Sequence, residues 1–204
     1  MSKNINRFER TNGILSVVDE FPYLHIIKCV IVNDGLSSSQ IVFSVGKSID
    51  EYAFEVSLRI YDDGDFSFDL MESRSFEIVV PIRLETDEEL KKALSYTNKI
   101  GEMFSKINYT GSFEGDDKII KKMMKKYKDI YVSKEKIRSN KYKKKIVRFG
   151  LKRYDDYVSI AEFISNGYAY LFVYLKGVEY GLKGNEDIID KILDATKKLL
   201  RLKK

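Results

Sequence analysis

The sequence predicts an α+β fold in which antiparallel β-meanders are each followed by a covering helix. Apolar and polar residues alternate in several short segments of the first half, as they do in strands that bury one face. Apolar residues then recur at helical spacing, first after Thr86 and again after Asn185. The dipeptide Asn166-Gly167, flanked by two alternating runs, is typical of a tight hairpin and indicates a second meander in the last third.

The first half of the chain is expected to form a strand meander. Strands are predicted over residues 14–18, 23–32, 40–45, 54–60, 66–70 and 75–84. The segment 23–32 is apolar at nearly every position, which is typical of a central strand buried on both faces, so His25 and Cys29 are expected in the core. The last three strands alternate, which indicates one apolar, covered face and one polar face.

A helix is expected to cover this meander. Thr86 followed by Glu89 forms a capping box, and the apolar spacing after it predicts a helix over 87–107. A short strand over 109–113 comes next.

The second half repeats the same order of elements. A helix over 117–132, capped by Asp116, precedes the strands, and Asn185 caps a last helix. These strands and the last helix are predicted over 145–153, 157–164, 168–176, 177–182 and 186–202. The segments 57–70 and 150–163 share the order Leu, basic residue, Tyr, Asp, Asp, which leaves a degenerate duplication and chance similarity as open alternatives.

Charge divides the chain more sharply than the net value of +5 indicates. Residues 1–117 carry 12 Lys and Arg against 21 Asp and Glu, a balance of −9, whereas residues 118–153 carry 16 against 2, a balance of +14. We therefore expect an acidic, β-rich half over 1–115 and a basic half over 116–204, with one continuous domain as the alternative. The dense charge of 118–153, hereafter the lysine-rich segment, favours an anionic partner.

Nucleic acid is favoured over a membrane surface as that partner, because tyrosines lie near the positive charge. The alternative is attraction between the lysine-rich segment and the acidic half of the same chain. The predicted phosphate-binding residues are Lys121, Lys122, Lys125, Lys126, Lys141, Lys143, Lys144, Lys145, Arg148 and Lys152.

A row of aromatic residues is predicted on one face of the second meander. A hairpin with Asn166-Gly167 as its loop gives this register, and an even-length turn at 153–156 brings Arg148 and Lys152 to the same face. Unpaired bases stack on such rings while basic side chains meet the phosphates. The predicted base-stacking residues are Tyr157, Phe163, Tyr168, Tyr170, Phe172 and Tyr174. The alternative is that this face packs against the first sheet or a second copy of the chain.

The predicted function is a non-enzymatic nucleic-acid-binding protein that prefers single-stranded DNA or RNA with weak sequence selectivity. The alternative is a protein-interaction, chaperone-like or inhibitor module whose aromatic face is a protein or dimer interface. A metal-dependent nuclease that uses the acidic turn 62–65 ranks third, because Asp and Gly are ordinary turn residues. No catalytic residue, metal ligand or cofactor is assigned.

Composition excludes several other classes. One cysteine, Cys29, rules out an internal disulfide, and one histidine, His25, rules out sites built from two histidines. No apolar run approaches the ~18 residues of a membrane span, and the first residues are polar without an apolar signal region. We therefore expect a cytoplasmic location and no membrane partner.

In strand order, the predicted meander plus helix with an aromatic sheet face resembles the Whirly and PUR-alpha class of single-strand binders. The resemblance implies a sheet that binds unpaired nucleic acid, and it extends to topology but to no site residue. The segment 79–94 resembles type III secretion chaperone-like domains, in which a sheet and a helix bind another protein. That likeness implies the protein-interaction alternative.

Overall fold

The computed structural model describes residues 7–33, 37–62, 65–71, 78–108, 116–126, 130–138, 143–153, 156–158 and 184–202. Helices in these ranges are α1 Arg7–Val17, extended by the 3-10 turn Val18–Glu20, α2 Asp87–Phe104, α3 Asp116–Lys126 and α4 Glu186–Leu200. The strands are β1 Leu24–Asn33, β2 Ser37–Gly46, β3 Tyr52–Tyr61, β4 Phe66–Met71, β5 Ile78–Leu84, β6 Ile130–Arg138, β7 Lys143–Arg153 and β8 Asp156–Val158.

These strands form two antiparallel sheets, which confirms the α+β class. The first sheet has the order β1-β2-β3-β4-β5, so each strand pairs with the next along the chain, and the second has the order β6-β7-β8. The predicted strand 109–113 and the predicted strands 168–176 and 177–182, with the Asn166-Gly167 hairpin, lie outside the described residues. The duplication therefore stays a prediction.

The core lies between one face of the five-stranded sheet and the helices. Alternate residues of β2, β3 and β4, such as Phe43, Leu58 and Phe68, are fully buried on this face. Helix α2 contributes Leu94 and Ile100, and α4 contributes Ile189, Ile192, Leu193 and Leu199 to the same apolar cluster. One core thus joins the sheet of the first half to the last helix.

Helix α2 begins at the capping box that the sequence predicts. The Glu89 amide donates to Thr86 Oγ1 at 3.2 Å, and the Thr86 amide donates to Glu89 Oε2 at 3.3 Å. Farther along the helix, Gly101 lies against the sheet. A Cβ atom at Gly101 would lie 3.0 Å from both Tyr23 Cβ and Val45 Cγ1, so the missing side chain allows a close helix-to-sheet contact.

Asn185 precedes α4 as expected, but its side chain does not cap the helix. Instead, Asn185 Oδ1 accepts from the Asn108 amide at 2.8 Å, and Asn185 Nδ2 donates to the Asn108 carbonyl at 2.9 Å. The predicted capping bond is therefore wrong, because the amide side chain satisfies both backbone groups of a residue just beyond α2. This pair joins the end of one helix to the start of the other.

The strand predicted over 14–18 is wrong, since these residues belong to α1 and the following 3-10 turn. Thr11, Ile14 and Val18 are buried, and their spacing of three and four residues is that of a helix. The apolar run over 14–18 predicts a strand only when these more distant positions are left out. The Arg10 guanidinium lies 5.0 Å from the centre of the Phe66 ring, which fixes α1 against the edge of the core.

Strand β1 is confirmed, but its central, two-sided burial is wrong. Among the described strands, β1 lies at the edge of its sheet, with Ile31 56% exposed and Cys29 exposed as well. A bulge between Ile26 and Lys28 shifts the alternation along the strand. His25 is half-buried, and its Nε2 lies 3.1 Å from the Gly46 carbonyl. A continuous apolar run identifies a strand but does not reveal whether a second strand lies on each side.

The helix predicted over 117–132 is too long. It ends at Lys126, and residues 130–138 form β6, a strand that the sequence interpretation placed in a helix and a connector. Apolar residues at Ile130 and Val132 alternate with Tyr131 and Ser133, so the periodicity changes from helix to strand at this point. The cations that follow mask the strand pattern, because Lys134, Lys136 and Arg138 continue the face that begins with Ile130 and Val132.

Candidate nucleic-acid interface

Helix α3 carries the first group of predicted phosphate-binding residues. Lys121, Lys122, Lys125 and Lys126 are all exposed, and Lys118 precedes them on the same helix. Spacing of one, three and four residues places Lys121, Lys122 and Lys125 on one side of the helix. Lys126 follows Ile119, which packs on the core, by seven residues and therefore lies at the border between the two sides. The helix therefore presents a positively charged side to solvent.

Lys126 links this helix to α4. Its Nζ forms an ion pair with Asp190 Oδ2, and both side chains remain partly exposed. Surface pairs of this kind contribute little to stability, so the pair positions Lys126 more than it stabilises the fold.

The second group of predicted phosphate-binding residues lies on β7. The register of β6 against β7 adds further basic residues, which the sequence did not lead us to assign to the site. Lys136 is directly opposite Lys145, and Arg138 is directly opposite Lys143. These four positions, hereafter the cation cluster, share one face at the end of the ribbon. Like charges placed directly opposite each other destabilise a sheet, so this register works against folding.

The same register separates the predicted β7 residues into two sets. Lys143 and Lys145 occupy the face of the cation cluster, whereas Lys144, Arg148 and Lys152 alternate with them on the other face. Lys152 is directly opposite Tyr157 across a two-residue turn, which agrees with the expected even-length turn at 153–156. A basic and an aromatic residue therefore occupy directly opposed register positions on this second face.

The remaining predicted site residues lie outside the described part of the chain. They are Lys141, Phe163, Tyr168, Tyr170, Phe172 and Tyr174. The base-stacking row, apart from Tyr157, thus stays a prediction.

A second group of polar residues lies on the face of the five-stranded sheet opposite the helices. The expectation that the meander is covered on one side only is wrong at its centre, because Glu55 is 3% exposed and Asp69 is 2% exposed. Ser57 is buried between them, directly opposite Asp69 in the register. An alternating pattern does not distinguish a solvated polar face from a buried, hydrogen-bonded one.

Hydrogen bonds within this face satisfy many of its polar groups. Gln40 Nε2 donates to Ser57 Oγ at 2.7 Å, and Ser67 Oγ donates to Asp69 Oδ1 at 2.6 Å. The Tyr52 hydroxyl donates to Glu55 Oε1 at 3.1 Å. In the described part of the chain, Glu55 Oε2 and the directly opposite Ser44 Oγ are buried without a hydrogen-bond partner.

Burial shifts both carboxyl groups on this face toward the protonated form. Burial raises the pKa of Glu55, and the Tyr52 hydrogen bond offsets only part of this effect. Burial also raises the pKa of Asp69, against the lowering effects of Ser67 and of the Arg59 charge. Hydrogen bonds within the sheet, and for Asp69 also the Arg59 charge, therefore offset only part of the cost of burying these two carboxyl groups.

The acidic turn forms no metal centre among the residues that the structure describes. Asp62 Oδ1 lies 3.4 Å from Arg7 Nη1, and the Tyr61 amide donates to the Asp65 carbonyl at 3.0 Å in the turn itself. Within the described ranges, no group of three or more His, Cys, Asp or Glu side chains is placed to hold a metal ion.

Among the helices in the described ranges, none has both the length and the apolar character needed to cross a membrane. No protein-family model, curated protein or solved structure matches the chain. Its function therefore has to be argued from its own residues.

Proposed function

We propose that this protein is a non-enzymatic nucleic-acid-binding protein that holds the phosphates of a single strand with its lysine-rich segment. The observation that carries the proposal is the register of β6 and β7, which opposes Lys136 to Lys145 and Arg138 to Lys143. Directly opposed like charges destabilise a sheet, so a contribution to stability does not account for this register. A phosphate backbone between these positions turns the repulsion into attraction and releases bound counterions.

The preference for a single strand rests on the other face of the same ribbon. There Tyr157 is directly opposite Lys152, a pairing that suits a base stacked on a ring beside a neutralised phosphate. Helix α3 extends the positive surface with its exposed lysines. These features give no base-specific hydrogen-bonding pattern, so weak sequence selectivity follows.

A titration tests the proposal. Labelled single-stranded DNA, single-stranded RNA and a duplex of equal length are titrated with the full chain at several salt concentrations, with and without Mg²⁺. The logarithm of the affinity for single strands should fall linearly with the logarithm of the salt concentration, with a slope of about −0.7 per contacted phosphate. Binding that is absent or independent of salt overturns the proposal in favour of a protein-interaction module, and Mg²⁺-dependent cleavage overturns its non-enzymatic part.

Paired variants with the same charge change locate the phosphate contact. Lys143→Gln with Lys145→Gln removes two charges from the cation cluster, and Lys28→Gln with Lys47→Gln removes two exposed charges from the first sheet. The first variant should weaken all nucleic acids alike and flatten the salt slope by about 1.4, twice the single-strand value per contact. Equal affinity of the two variants would exclude the cation cluster as the contact.

A further inference from the structure

Gly150 lies inside β7, a place where glycine is uncommon. Glycine weakens the interior of a strand because it has no side chain to pack, and it often marks a bulge or a site that a ligand or another backbone approaches closely. The described pairing contains no bulge here, since the register of β6 against β7 runs without a shift from Ile130 to Arg138. The register thus leaves close approach of another group as a reason for a glycine at this position.

Aromatic and basic register positions surround Gly150 on its own face of the ribbon. Tyr131 on β6 is directly opposite Gly150. On β7, Arg148 and Lys152 come two residues before and two residues after Gly150, so they share its face. Tyr157 on β8 is directly opposite Lys152 and is therefore a diagonal neighbour of Gly150. One position without a side chain is thus bordered by two aromatic and two basic positions.

The spacing of these positions suits one unpaired base. Directly opposed positions of an antiparallel pair lie about 4.5–5.5 Å apart and diagonal positions about 7–8 Å apart, distances that aromatic and long side chains can bridge. A base has a flat π-face that stacks on an aromatic ring, and its neighbouring phosphates attract Lys and Arg. A side chain at position 150 would stand at the centre of this arrangement. Glycine at that position therefore leaves room for a base between the groups that a single strand requires.

We propose that the Gly150 position binds one unpaired base, which stacks on Tyr131 while Arg148 and Lys152 meet the phosphates on either side. This inference rests on the proposed function and deepens it, because it assigns a base-binding position to the face that carries Tyr157. It also assigns Tyr131, a residue that the sequence pattern places in a helix. Because every base has a π-face, this position recognises an unpaired base without selecting its identity.

The first test fills the Gly150 position. Gly150→Val should suit the strand, because β-branched residues favour strands, but its side chain should exclude the base. Labelled oligo-dT of about 20 nucleotides should bind this variant of the full chain about 5- to 150-fold more weakly, the change expected for one lost base stack. The salt slope should stay the same, since no phosphate contact is removed. Gly13→Val is the matched control and should bind like the wild type, because Gly13 is exposed on α1 and a Cβ atom there would have no neighbour within 4 Å.

Two substitutions at Tyr131 keep the inference testable if thermal melts show that Gly150→Val does not fold. Tyr131→Leu removes the ring and should weaken oligo-dT binding to a similar extent. Tyr131→Phe keeps the ring and should bind oligo-dT nearly like the wild type. Equal affinities of Tyr131→Leu and Tyr131→Phe for oligo-dT would overturn the inference, because the ring would then make no difference to binding.

An abasic oligonucleotide with the same number of phosphates separates base binding from phosphate binding. The wild type should bind oligo-dT more tightly than the abasic chain, and Gly150→Val should lose affinity for oligo-dT alone. The inference is overturned, and the proposed function stands, if folded Gly150→Val binds oligo-dT like the wild type or loses affinity for both chains equally. A wild-type protein that binds neither chain overturns both the inference and the proposed function.

Discussion

The two sheets of this protein differ in which residues lie opposite their polar side chains. In the five-stranded sheet, buried carboxyl groups such as Glu55 and Asp69 have hydrogen-bond partners from neighbouring positions. In the three-stranded sheet, the register places basic residues opposite one another instead. Neighbouring side chains thus satisfy several polar groups of the first sheet, though not Glu55 Oε2 or Ser44 Oγ among the described residues. In the second sheet, directly opposed like charges are a cost to the fold. The difference indicates which sheet has charge available for a partner.

The largest effect is expected in the apolar face of the first sheet. Phe68 is fully buried on β4, so Phe68→Ala should lower the free energy of unfolding by roughly 3–5 kcal/mol through lost burial and a cavity. Guanidinium unfolding measures the loss. Nucleic-acid affinity per folded molecule should stay unchanged. A fall in that affinity would show that the first sheet contributes to binding as well as to stability.

The Asn185 side chain should give the next largest effect. Asn185→Ala removes both hydrogen bonds to the Asn108 backbone and should cost roughly 1–3 kcal/mol, because the released groups are partly shielded from water. Asn185→Asp keeps the acceptor for the Asn108 amide but places a second, charged oxygen against the Asn108 carbonyl, so it should be destabilising as well. Thermal unfolding measures both losses, and wild-type stability of either variant would mean that solvent replaces the missing bonds.

Glu55→Gln should stabilise the protein at neutral pH. The raised pKa of Glu55 means that the folded state binds more protons than the unfolded state between the ordinary and the raised pKa. Glu55 therefore lowers stability as the pH rises through that window, and the loss persists above the raised pKa. The advantage of the glutamine variant should shrink as the pH falls through the window, as urea unfolding at several pH values can measure. If the stability advantage of Glu55→Gln did not change with pH, the raised pKa of Glu55 could not be its cause.

The smallest change in stability is expected in the cation cluster. Lys145→Glu places opposite charges at the positions of Lys136 and Lys145, so the free energy of unfolding should rise by roughly 0.2–1 kcal/mol. The same change should weaken single-strand binding, because it replaces an attractive charge with a repulsive one. Higher stability with lower affinity supports a functional charge. A variant that loses both would show that Lys145 has a structural role.

Local patterns predict most of the first sheet and α2, because alternation and a capping box are short-range signals. The position of a strand within the sheet is a long-range property, which is why β1 is identified as a strand but not as an edge. The burial of Glu55 and Asp69 depends on what covers the sheet from elsewhere in the chain, and alternation alone does not contain that information. β6 is missed because its apolar face, which begins with Ile130 and Val132, continues with Lys134, Lys136 and Arg138.

The candidate interface could be predicted in part. The excess of positive charge in 118–153 follows from counting residues, and the exposed lysines of α3 follow from helical spacing. The cation cluster needs the register of two strands, and a count of charges along the chain does not contain that register.

The place of α4 in the core has a consequence for synthesis. Residues 105–185 separate α2 from α4, and Leu193 and Ile192 of α4 complete the same apolar cluster as the sheet. At roughly 5–20 residues per second, the ribosome needs several seconds or more to make the intervening chain. During that interval the first sheet and α2 can form, but the side of α2 that packs on α4 stays uncovered. The nascent chain is therefore most open to chaperones and to aggregation after its sheet is complete, and the last helix ends that period.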